Sequence, residues 1–153
     1  MKLSTKGRYA MVALADIALQ PGDTLVTLSE ISERQDISLP YLEQLFVKLR
    51  RADLVASVRG PGGGYRLSRP ASDIRVVEVL AAVDETVDAL QKGAGASGAS
   101  SGSRAQSLTN RLWEGLSAHV YVFLHQTRLS DVIKNDLAPC PAVPNLFAVV
   151  DAE

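Results

Sequence analysis

Four glycines and one proline occupy residues 60–64, inside the run Ser57-Val58-Arg59-Gly60-Pro61-Gly62-Gly63-Gly64-Tyr65-Arg66-Leu67. No helix survives that composition, and a chain crossing it has to reverse. The flanks, 54–58 and 65–67, are rich in β-formers and read as two short strands. Arginine stands on both arms, Arg59 before the turn and Arg66 after it. A glycine-tipped hairpin carrying arginines fits a surface that approaches a polyanion closely, and whatever precedes it has to be read with that in mind.

Two short helices precede it. Thr27 or Ser29 can cap a helix from Leu28 to Gln35, with Glu30 in its first turn. Val26 and Leu28 form a short extended entry. Asp36 and Ile37 make a turn, and Ser38 caps a second helix, residues 38–52, with Pro40 in the first turn, where a missing N–H costs nothing. Its apolar stripe is Leu42, Leu45, Phe46 and Leu49, and its end is basic through Lys48, Arg50 and Arg51. Helix, tight turn, helix and hairpin in this order spell a winged helix-turn-helix. An amphipathic helix over residues 3–20, stopped at Pro21-Gly22, comes before them, and another over 74–83 follows.

Residues 92–107 change character, with thirteen of sixteen positions Gly, Ala or Ser, and such a segment is expected to be flexible. A long helix starts at Leu108, with Leu112, Leu116, Val120, Phe123 or Leu124, and Thr127 along one face, widened by Trp113 and Tyr121. So long an apolar face needs a second copy to cover it, which predicts a homodimer. The expected fold is mainly α with a small β-hairpin wing. It divides into a DNA-binding domain at 1–84, a flexible loop at 85–107, a dimerisation helix region at 108–136 and an irregular tail at 137–153.

Composition narrows the function classes. The chain has 153 residues, 46% apolar and 22% charged, with no run long enough for a membrane span and no export signal. A cytoplasmic protein without membrane association is expected. Its net charge of −1 divides into about +3 over residues 1–70 and −4 over 71–153, a basic head on an acidic partner half. One cysteine, Cys140, excludes an intrachain disulfide and any zinc site built on paired cysteines. The glycines match neither the dinucleotide fingerprint nor a phosphate loop, and no nucleophile–base pair is evident, so the chain does not read as an enzyme.

Double-stranded DNA is the expected partner. Ser38, Leu39, Pro40, Tyr41, Glu43 and Gln44 form the leading end of the recognition helix. Gln44 suits adenine, while Glu43 accepts from cytosine or excludes other edges. Arg59, with Gly60 beside it, suits a guanine or the minor groove. Lys6, Arg8, Lys48, Arg50, Arg51 and Arg66 are candidate phosphate contacts.

The segments MKLSTKGRYA (1–10), ISERQDISLPYLEQLF (31–46), LVASVRGPGGGYRL (54–67), VEVLAAVDETVDA (77–89) and LTNRLW (108–113) resemble the IscR/NsrR/RirA-type winged-helix transcription regulators over roughly residues 1–130. The resemblance implies a homodimer, recognition helices in successive major grooves of a palindromic promoter site, wings in the minor groove, and control, most simply repression, of iron–sulfur assembly or iron-homeostasis genes. It also implies an iron–sulfur cluster held by three cysteines in the loop before the long helix, with a histidine following in a Cys-Leu-Thr-His setting. Here that setting reads Ser107-Leu108-Thr109-Asn110, and residues 92–107 contain no Cys, His, Asp or Glu. Serine and asparagine do not replace thiolates around iron. Three readings stay open: a regulator without a cluster, a cluster with atypical ligands drawn from Cys140, His119, His125 or a carboxylate, or a redox-responsive Cys140 thiol. A winged module that binds protein instead of DNA is the rival class. Pro40 also departs from the serine commoner at its position, removing a donor.

Overall fold

In the computed structural model, which describes residues 4–85 and 103–137, helix α1 (Thr5–Ala18) starts at Ser4, whose hydroxyl accepts from the Lys6 N–H. Helix α2 (Leu28–Gln35) begins with a full capping box: Thr27 Oγ1 accepts from the Glu30 N–H, and Glu30 accepts from the Thr27 N–H at 2.7 Å. Leu28 is therefore helical, and only Val26 keeps the extended role expected of both. Asp36 ends α2 in the left-handed region, at φ 52°, and Ser38 caps α3 (Leu39–Arg51) by accepting from the Tyr41 N–H. Ile37 is buried in the turn between them, with its carbonyl taking a hydrogen bond from Ser32 Oγ at 2.6 Å.

Strands β1 (Val55–Val58) and β2 (Gly64–Leu67) pair antiparallel, Val55 opposite Leu67 and Val58 opposite Gly64. The Gly63 N–H donates to the Gly60 carbonyl at 2.9 Å, with Pro61 and Gly62 (φ 73°) at the turn centre, the chemistry of a type II turn. Val26 extends the ribbon by exchanging two backbone hydrogen bonds with Tyr65.

A 3₁₀ turn (Ala71–Asp73) leads into α4 (Val76–Ala82), and α5 (Arg104–Gln126) follows. Two features differ from the expectation of one helical region beginning at Leu108. First, α5 starts four residues earlier. Ser103 Oγ accepts from the Gln106 N–H and closes the first turn, and residues 104–107 contain no glycine to oppose it. Second, the helix ends at Thr127, and a separate α6 (Leu129–Ile133) turns back into the N-terminal module. Thr127 accordingly caps the end of α5 instead of extending its face. The Val76 N–H donates to the Thr127 carbonyl and the Leu129 N–H to the Ile74 carbonyl, zipping the return segment onto the entrance of α4.

The core is built by Leu14, Ile31, Leu42, Phe46, Leu49, Leu54, Val55, Ile74 and Val79, and Leu129 of α6 joins it fully buried. Helix α5 contributes no buried residue. The observed architecture is mainly helical with a small hairpin wing, as expected. The expected irregular tail lies outside the described residues from 138 onward, as do Cys140 and residues 86–102 of the flexible loop expected over 85–107.

Candidate nucleic-acid interface

Helix α3 separates into two faces. Leu42, Leu45, Phe46 and Leu49 are buried, while Pro40, Glu43, Gln44, Val47, Arg50 and Arg51 are exposed along the opposite side. Leu39 and Tyr41 are half-buried. The Tyr41 ring packs edge-on against Tyr9 of α1, centroids 5.7 Å apart, so it serves the packing of α3 on α1. The exposed Ser38 spends its hydroxyl on the helix cap.

The wing is joined to this helix through aromatic contact. Phe46, buried under α3, meets Tyr65 of β2 edge-on with centroids 4.8 Å apart. Tyr65 also carries the bridge to Val26, so helix, wing and the entry to α2 share one residue. Arg59 and Gly60 at the wing tip and Arg66 on β2 are exposed. A Cβ at Gly63 would run into the Val58 and Gly60 carbonyls, so the tip closes only with glycine there.

Two acidic contacts set the geometry of the basic head. Asp16 of α1, buried among apolar neighbours, accepts from Arg34 Nε at 3.0 Å, from Arg34 Nη2 at 2.5 Å and from Gln35 Nε2 at 2.7 Å. The Arg34 guanidinium holds its carboxyl below the usual carboxylate range, with Gln35 adding to the effect against burial. This clasp fixes the end of α2 to α1 and so the angle at which α3 leaves the turn. In the sequence its only signal is an acid amid the apolar positions of α1. The second contact engages Lys48, expected to face phosphate: its Nζ lies 2.6 Å from Asp84 just beyond α4. Lys48 also lowers the Asp84 carboxyl below its ordinary value. Lys6 is half-buried. Among the described residues Arg8, Arg50, Arg51, Arg59 and Arg66 are exposed and make no ion pair.

Asp84 and Glu85 immediately precede residues 86–102, and both are tied to the head. Asp84 holds Lys48, and Glu85 accepts from the Ser4 backbone N–H at 3.2 Å and from its hydroxyl at the start of α1.

The cofactor setting is different. Ser107, Leu108, Thr109 and Asn110 lie on the first two turns of α5, and Thr109 Oγ1 is turned inward to the Ala105 and Gln106 carbonyls at 3.0 Å. These side chains do not fit an iron–sulfur cluster. His119 and His125 are both exposed on α5. His119 Nδ1 lies 2.7 Å from the Gly115 carbonyl. His125 stacks on Tyr121, with Arg75 Nη1 3.3 Å from its Nδ1, a poor setting for a cation. Among the described residues, no group of three or more His, Cys, Asp or Glu side chains is placed to hold a metal ion. Likewise, no helix among them is long and apolar enough to cross a membrane.

A helix whose solvent-facing side carries Glu43, Gln44, Arg50 and Arg51, seated by a capped turn and flanked by an arginine-tipped hairpin, defines a winged-helix DNA-binding regulator. The comparisons with known proteins agree. The family model Rrf2, described as an iron-dependent transcriptional regulator, matches residues 3–135. The HTH-type transcriptional regulator IscR of Cereibacter sphaeroides is 76% identical over 155 residues, covering all of both chains. That of Vibrio atlanticus is 54% identical over 136 residues, 89% of this chain and 77% of the relative. The solved structure of T. potens IscR superposes with a TM-score of 0.70 at 36% identity, covering 88% of each chain. The chain belongs to the Rrf2 family of transcriptional regulators, and it is a regulator, not an enzyme.

Proposed function

We propose that the protein acts in the cytoplasm as a homodimer on a palindromic promoter site and represses genes of iron–sulfur cluster assembly or iron homeostasis. The observation that carries the DNA reading is the exposed side of α3 set beside the Arg59 wing through the Phe46–Tyr65 contact. Similarity to the IscR regulators supports the choice of target genes. In this reading α3 enters the major groove, where Gln44 pairs with adenine and Glu43 selects cytosine by accepting from its amino group and repelling other edges. Ser38, Leu39, Pro40 and Tyr41 form the leading edge of that contact. Arg59, with Gly60 allowing close approach, enters the adjacent minor groove. Lys6, Arg8, Arg50, Arg51 and Arg66 neutralise phosphates, while Lys48 braces α3 against Asp84.

Arg59→Ala is the direct test. It is expected to weaken operator binding and to lose about 1–3 kcal/mol of discrimination at one base pair per half-site, read by competition with single-base operator variants. A protein-binding module would show no such loss at any base.

The signal is read without the three-cysteine loop that the family resemblance implies. A regulator controlled by abundance, by a partner or through the Cys140 thiol needs no such loop. A cluster would draw on Cys140 with His119, His125 or a carboxylate. Iron and acid-labile sulfide are measured on anaerobically purified protein and on Cys140→Ser. Metal-free wild type that binds its operator supports the cluster-free reading, and iron lost on Cys140→Ser supports the other.

A further inference from the structure

The centre of the exposed side of α3 is not polar. Val47 lies opposite the buried stripe of Leu42, Leu45, Phe46 and Leu49, one turn beyond Glu43 and Gln44 and one turn before Arg50 and Arg51. It is 40% exposed and belongs to none of the core contacts. Its neighbours one turn away on that side, Glu43, Gln44, Arg50 and Arg51, each bear a hydrogen-bonding or charged group suited to DNA, whereas Val47 has two methyls. As a β-branched residue in a helix it holds essentially one χ1 rotamer, so those methyls point in a fixed direction. The apolar group that the major groove offers is the 5-methyl of thymine.

We infer that Val47 is a specificity-determining residue that packs on a thymine methyl in each half-site. The inference rests on the DNA-reading proposal above. Along α3, Val47 sits about 4.5 Å beyond Gln44. A base-pair step is about 3.4 Å, so the thymine lies within roughly two base pairs of the adenine that Gln44 reads. A single exposed valine is common on protein surfaces and requires no role. The two accounts separate in one experiment, because deoxyuridine removes only the methyl and leaves the Watson–Crick edge intact.

The duplex is the best binder selected by the full-length protein from a random pool. Each thymine is then replaced singly, together with its symmetry mate, by deoxyuridine, and affinities are measured for wild type, Val47→Ala and Val47→Thr. Wild type is expected to lose about 3–10-fold at one thymine position. Val47→Ala is expected to bind the thymine and uracil duplexes equally, and Val47→Thr, which keeps one methyl, to retain part of the discrimination. Since the side chain faces solvent, unchanged melting of both variants excludes misfolding as the cause. A flat uracil scan for a wild type that still selects its operator overturns the Val47 inference alone, as does discrimination that persists in Val47→Ala. A wild type that selects no duplex from the pool overturns both it and the DNA-reading proposal.

Discussion

Replacing Leu112 and Leu116 together by glutamate is expected to convert the protein to a monomer and to lower operator affinity by more than about 100-fold. In α5, Leu108, Leu112, Leu116, Val122 and Phe123 fall on one stripe by helical phase and are 41–61% exposed. None of the 23 residues of α5 is buried by the rest of the chain. Val120, one turn beyond Leu116 at the edge of this stripe, and Leu124, both expected on the same face, are half-buried instead. A helix that long, apolar and uncovered is stable when a second copy supplies the missing surface. Glutamates at two central positions would bury unpaired charge in that seam, which a dimer does not tolerate. The DNA effect follows from valency. Two linked heads make the second half-site contact intramolecular, an advantage of about 10²–10⁴ that a monomer forfeits. Sedimentation equilibrium reads the mass and a gel shift reads the affinity. An unchanged mass would show that the stripe is covered in another way.

Asp16→Ala is expected to destabilise the fold by about 2–3 kcal/mol while leaving α5 pairing intact. The substitution removes three hydrogen bonds to a carboxylate whose side chain is 3% exposed and strands their donors. Arg34 is 39% exposed and recovers water, which holds the loss below that for a fully buried pair. Because Arg34 holds the Asp16 carboxyl below its ordinary range, this contribution is fully present above about pH 4. It fades as the pH falls further, through the value the group has in the folded protein. Wild type is therefore expected to lose stability on acidification in that range more steeply than Asp16→Ala. Urea titrations at fixed protein concentration measure both effects, with concentration held constant because association adds to apparent stability. Parallel acid profiles for the two proteins would remove Asp16 from the account.

The reading head was legible because its determinants are local. Gly60 to Gly64 specify the turn, Thr27 with Glu30 and Ser38 with Pro40 mark where two helices begin, and Leu42, Leu45, Phe46 and Leu49 mark which side of α3 is buried. The parts that escaped depend on distant partners or weak local signals. Lys48, expected to face phosphate, also pairs with Asp84, 36 positions away, a contact that no local pattern reveals. Asp16 and Arg34 are 18 positions apart. The start of α5 was hidden in a run of small residues because one of those serines, Ser103, is a cap. The return through Thr127 and Leu129 requires the Ile74 and Val76 backbone, which no periodicity reveals. Val47 was visible in the sequence as an apolar residue off the buried stripe, but its significance depends on the exposure of its surroundings.

In the proposed function the α3–wing head reads DNA sequence as one of a pair. A titration of the full-length protein against its selected palindromic duplex and a scrambled duplex of the same composition, repeated across salt concentrations, tests it most directly. Two protomers per palindrome, affinity that falls steeply with salt through counterion release, and binding at least about 10³-fold tighter than to the scrambled duplex are expected. Equal affinity for the two duplexes, or saturation by a single protomer, would contradict that proposal.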